Sequence, residues 1–143
     1  MNFFLSPPFL KTAAVSVIIF IFLDMLWLAI IASPFYLKHF GYLARVENDK
    51  IVFNLYAGIF AQAIISLGLS AVITLALNTQ NSLLTAIITG AFAGFVIYGT
   101  YDFTNMSFVK GYSLLMSLVD VAWGTTQGIF AGIYVYFLSR FFS

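Results

Sequence analysis

Four long apolar runs, separated by short polar stretches, dominate the chain. They cover about 12–32, 51–77, 83–103 and 113–138. At about 1.5 Å per residue, each is long enough to cross a hydrocarbon layer of about 30 Å. None alternates apolar and polar residues with period two, so the runs predict membrane helices and not barrel strands. Lys11 precedes the first run, but that run is too long for the core of a cleaved signal and contains Asp24. It is therefore expected to stay as the first helix. Ahead of it, Phe3, Phe4, Pro7, Pro8 and Phe9 predict an interfacial, non-helical lead-in.

The connections shape the topology. Loop one, 33–50, is the largest. Ser33 followed by Pro34 reads as an N-cap and first helical residue. Phe35, Tyr36, Phe40 and Leu43 then form one face of a short interfacial helix, with Lys38, His39 and Arg45 outward. Loop two, 78–82, and loop three, 104–112, are short, so the helices they join should be antiparallel neighbours. The expected fold is all-α: one polytopic membrane domain over 1–143, an antiparallel four-helix bundle.

Composition agrees and narrows the class. Hydrophobic residues make up 62% and charged residues 8%, with a mean hydropathy of +1.03. Soluble domains carry about 25% charged residues. So little charge cannot cover a soluble globule of this size, which excludes a cytosolic enzyme and a disordered tail. A net charge of +1 offers no basic stripe for nucleic acid. With no cysteine and His39 as the one histidine, no metal or cofactor is expected. No G-x-S-x-G, H-E-x-x-H or phosphate-loop pattern occurs. Lys38, Arg45, Lys50 and Lys110 lie in loops one and three, against Lys11 and Arg140 elsewhere. That bias predicts loops one and three in the cytoplasm.

All six bases lie outside the apolar cores, but three of the five acids, Asp24, Asp102 and Asp120, do not. A mid-helix Asp costs about 2.5–3.5 kcal/mol on insertion scales. Asp24 is about 12 Å inside the first helix from its loop-one end and Asp120 about 10 Å inside the fourth from its loop-three end. Asp102 sits near the loop-three end of the third. All three are thus expected in the half of the membrane that faces the basic loops.

Their neighbours follow helical spacing. Tyr98, Tyr101, Asp102 and Asn105 share a face, as do Ser113, Ser117, Asp120, Trp123, Gly124 and Gln127. Asp24 has Trp27 three residues on, the same D-x-x-W spacing as Asp120 and Trp123. Asp24, Trp27, Tyr98, Tyr101, Asp102, Asn105, Asp120, Trp123 and Gln127 are the expected lining of a pocket for a cation or polar lipid headgroup. In a catalytic version, Asp24 or Asp120 acts as general acid or base with Tyr98 or Tyr101 assisting. The plainer alternative is that these acids bond to Tyr, Trp, Asn or backbone groups and only tie helices together.

Glycines point to close helix packing. Gly124, Gly128 and Gly132 recur at four-residue spacing on the fourth helix, and Gly90 and Gly94 on the third. The second helix carries Asn54, Gly58, Gln62, Ser66, Ser70 and Thr74 at the same spacing. Packing inside one chain accounts for most of this, and one row is left available for a homo-oligomer.

The segment Tyr98-Gly-Thr-Tyr-Asp-Phe-Thr-Asn105 and the later Asp120-Val-Ala-Trp-Gly124 resemble motifs of a bacterial family of small membrane proteins of unknown function. The Asp24-to-Leu28 segment and the Phe35-Tyr36 pair resemble the same family, over nearly the whole chain. The resemblance implies a four-helix protein of the bacterial inner membrane and assigns no activity. Three functions compete. The first is binding of membrane lipid or a small amphiphile, with lipid modification as its enzymatic form. The second is proton-coupled transport of small organic cations. The third is a structural subunit of a membrane complex.

Overall fold

The computed structural model describes residues 3–143. A 3-10 turn, Phe3–Leu5, leads into α1, Pro7–Leu26. Helix thus starts at Pro7 and Pro8, where a non-helical lead-in was expected. Proline lacks only an N–H that the first helical turn leaves unpaired, and Ser6 is extended in the N-cap position.

α1 then widens into a π-helical turn, Trp27–Ile31, closed by the Ala32 N–H donating to the Trp27 carbonyl at 2.8 Å. A break at Ala32 starts α2, Ser33–Phe40. Pro34 explains both features. It has no N–H for the carbonyl one turn back, and its ring crowds that carbonyl, so the helix opens before it. Ala32, and not Ser33, holds the N-cap. α2 is the short helix expected in loop one, but it turns Tyr36 inward, where it is 7% exposed.

A hairpin of β1, Val46–Glu47, and β2, Lys50–Ile51, closes loop one. Asn48 and Asp49 take φ of 49° and 56°, as the tight turn of a two-residue hairpin requires. With Ile51 paired in the hairpin, α3 begins at Leu55 and runs to Thr79. The Asn54 side chain caps it by accepting from the Ala57 N–H at 3.2 Å.

α4, Leu83–Phe108, is capped by Ser82, and α5, Leu114–Phe141, by Ser113. α4 outlasts its apolar run, because 104–108 contain no proline or glycine. The Ser107 hydroxyl folds back onto the Thr104 carbonyl at 2.6 Å, so the segment stays helical despite its polarity. Gly111, at φ 81°, then supplies the reversal into α5.

α4 and α5 make the most extensive pairing, and α1 packs on α3 and α5. At Gly90 an added Cβ would strike the Gly128 carbonyl, and at Gly94 the Gly124 carbonyl. Both glycine rows therefore face each other, letting the two backbones touch. A buried cluster of Phe20, Leu69, Ile73, Leu77, Ala86, Ala131 and Val135 fills the loop-two half. Large apolar side chains such as Ile18, Phe22, Phe60 and Phe92 point outward from the bundle. α1 with its π turn, α3, α4 and α5 are each long and apolar enough to cross a membrane. The fold is an all-α polytopic membrane architecture.

Candidate functional site

The site begins with Asp24, 2% exposed in the last turns of α1. One carboxylate oxygen accepts from Trp123 Nε1 at 2.9 Å and from Gln127 Nε2 at 3.3 Å, both on α5. The other accepts from the Gln62 amide on α3. Three helices thus converge on one carboxylate, and three neutral donors disperse its charge.

Trp27 lies over Trp123, with ring centroids 4.4 Å apart and planes 7° from parallel. Its Nε1 donates to the Tyr36 hydroxyl at 3.3 Å, and Tyr36 donates in turn to Asp120. The stacked indoles therefore separate two acids that belong to one network. Burial pushes the Tyr36 hydroxyl above its ordinary value, and the Asp120 charge pushes it further, so Tyr36 remains a donor.

Two cavities share Asp120 in their walls. One, about 580 Å³, lies under loop one between α2, the hairpin, α4 and α5. Tyr36, Arg45, Asn54, Tyr101, Tyr112 and Asp120 supply its polar wall, and Leu28, Phe40, Phe53 and Met116 much of its apolar wall. The other, about 300 Å³, lies between α3 and α4, with Ala61, Ile65 and Ile97 beside Gln62, Tyr98, Tyr101 and Asp120. Tyr101 and Asp120 line both.

Of the other residues expected to line a pocket, Asp24, Trp27, Asp102, Asn105, Trp123 and Gln127 line neither cavity, and Tyr98 lines the smaller one. Asp102 is fully buried and lines neither cavity. One of its oxygens accepts from the Tyr112 hydroxyl at 3.1 Å, and the other has no protein partner. Burial and the Asp102 charge raise the Tyr112 hydroxyl, which keeps it protonated in this role. The Asn105 amide turns back to the Tyr101 carbonyl at 3.0 Å and lines neither of the two cavities. The Tyr98 ring rests against Gly124, the position where a Cβ would collide with it.

Tyr36, Gln62 and Tyr112 join the site without having been among the expected lining. Tyr36 and Gln62 each lay on a face read as interfacial or as packing, and the Phe35-Tyr36 pair was the available signal. Tyr112 closes loop three, where spacing carries no helical register. Among the described residues, no group of three or more His, Cys, Asp or Glu side chains is placed to hold a metal.

A family model described as "Predicted membrane protein (DUF2177)" matches residues 9–137 of the 143. The chain belongs to this family. The DUF2177 match takes in most of α1, all of α2, α3 and α4 and most of α5, and with them every residue of the Asp24–Asp120 network. No curated protein and no solved structure matches the chain. For this DUF2177 member, function has to be argued from the site.

Proposed function

We propose that the chain binds a membrane lipid or similar amphiphile in the crevice formed by the two cavities. The observation that carries this reading is that Asp120 and Tyr101 line both cavities, which sets a polar chamber and an apolar arm side by side at the same two side chains. The arm between α3 and α4 is walled by Ala61, Ile65 and Ile97 and suits an acyl chain. The chamber under loop one offers Arg45 for a phosphate and Asp120, among tyrosines, for an amine. A zwitterionic aminophospholipid presents both groups on one headgroup. We further propose a bacterial inner membrane, from the family resemblance, and a cytoplasmic side for loops one and three, from the Lys and Arg distribution.

Mass spectrometry of lipid retained by the purified protein tests this. Wild type should keep an aminophospholipid that Asp120→Asn loses and that Ala61→Trp, which fills the arm, also excludes. Identical retained lipid in all three proteins would refute the reading.

A further inference from the structure

A second set of polar groups runs through the other half of the bundle. Thr12 and Ser16 lie on α1 and Gln62, Ser66, Ser70 and Thr74 on α3, two helices that pack on each other, with the buried ring of Phe20 between Ser16 and Asp24, and both ends of this pairing are defined. At one end Gln62 donates to Asp24. At the other, Thr12 and Thr74 line a single cavity of about 250 Å³ beside loop two, together with Asn78, Asn81 and Arg140. The distance between the ends is about 18 Å along either helix.

Along and beside this stretch, buried groups lack a close hydrogen-bond partner, Ser66 and Tyr134 having only each other within reach. These groups are the hydroxyls of Thr12, Ser16, Ser66, Ser70 and Tyr134 and the amide oxygens of Gln62 and Gln127. Ser66 lies next to the Tyr134 hydroxyl. Of the eight unpartnered buried side-chain atoms among the described residues, five belong to this row and two more, on Gln127 and Tyr134, to the adjoining α5. A hydroxyl in a membrane helix ordinarily returns to a carbonyl of the preceding turn, as Thr74 does to Ser70 at 2.6 Å. Thr12, Ser16, Ser66 and Ser70 do not. Each buried polar group left unpaired costs about 1–3 kcal/mol. Internal water, which makes about three hydrogen bonds per molecule, removes that cost when several such groups adjoin.

We propose that this row is a hydrated proton path, running from the loop-two cavity to Asp24 and onward through the crevice at Asp120 to loop one. A proton enters from hydronium at the loop-two cavity. Each water or hydroxyl along the row accepts one proton as it gives one up, so none changes charge. The Asp24 carboxylate takes up the proton and releases it into the crevice between Gln62 and Asp120. The titratable groups around Asp24 are Tyr36 on α2, Tyr98 on α4 and Asp120 on α5, while α3 contributes the neutral Gln62. The stretch from the loop-two cavity to Asp24 does not depend on which ligand the crevice holds, since Ser66 and Ser70 line neither of its cavities, whereas the exit past Asp120 rests on the crevice reading.

The test is potential-driven proton uptake by vesicles reconstituted with the full chain, read by a trapped pH dye. Uptake should exceed that of protein-free vesicles. It should fall at least tenfold with Asp24→Asn and with the double change Ser66→Ala, Ser70→Ala. Wild-type uptake equal to that of protein-free vesicles, or uptake unchanged in the double variant, would overturn the proposal. Should the double variant fail to fold, Ser70→Thr and Ser70→Val give a matched pair. Threonine keeps the hydroxyl and should conduct, valine should not, and equal uptake by the two would overturn the proposal as well. Retained lipid, measured in parallel, bears on the crevice reading alone.

Discussion

At the scale of single residues, Asp24 is the most committed group in the molecule. Replacing it with leucine strands the Trp123, Gln127 and Gln62 donors in a buried space. The expected loss is about 3 kcal/mol or more, from several unpaired donors at about 1–3 kcal/mol each. Asp24→Asn, which keeps one acceptor, should lose less. Thermal unfolding in detergent compares them. The two tryptophans of the chain supply a direct probe of the same place, because they stack on each other. Wild type should show an exciton couplet in circular dichroism, and Trp27→Phe should abolish it. An unchanged couplet would place the rings apart.

Tyr36 makes a pH prediction. Its folded value lies above its ordinary 10.0, because burial and the Asp120 charge oppose the phenolate. Between the two values the unfolded chain gives up the proton and the folded one keeps it, so stability falls as pH rises through that range. The melting temperature should therefore hold level just below pH 10 and decline above it, and Tyr36→Phe should flatten the decline. These residues differ in how well the chain announced them. An aspartate in an apolar run is conspicuous, since its burial cost is high whatever surrounds it. Tyr36 looked like one more interfacial aromatic, because only α2 folding back over the bundle end turns it toward Asp120.

At the scale of elements, the α4–α5 pair depends on backbone contact. Gly128→Val should separate the helices and cost several kcal/mol, because the new Cβ meets the Gly90 carbonyl, and main chain cannot give way as a side-chain tip can. Gly68→Ala, which meets nothing within 4 Å, should be neutral or stabilise by up to about 1 kcal/mol. Loss of the folded, monodisperse peak in size-exclusion chromatography distinguishes the two. The glycine spacing was visible along the chain, but its partner was not, since spacing specifies a face and says nothing of what meets it. The π turn at Trp27–Ile31 had no compositional mark of its own. Pro34 creates it from downstream, and a pattern read within the apolar run does not register that cause.

For the whole molecule, four candidate spans put loops one and three together and loop two opposite. The chain has no cysteine, so single introduced cysteines report cleanly. Asn48→Cys and Lys110→Cys should react with an impermeant reagent from the same side, and Asn81→Cys from the other. The Tyr42 hydroxyl already ties loop one to loop three by donating to the Gly111 carbonyl. Labelling of all three from one side would require a different number of crossings.

Membrane residence and the number of spans were legible along the chain, because they follow from hydropathy, length and rise per residue. Those quantities are additive and local. How the acids are divided was not legible. Asp24 and Asp120 came together through two stacked indoles and Tyr36, whereas Asp102 withdrew behind Tyr112 and Asn105 turned back on its own helix. Helical spacing gives an angle around one axis. Which neighbour occupies that angle depends on how far the glycines let α4 approach α5, and on Pro34 turning α2 back across the end of the bundle.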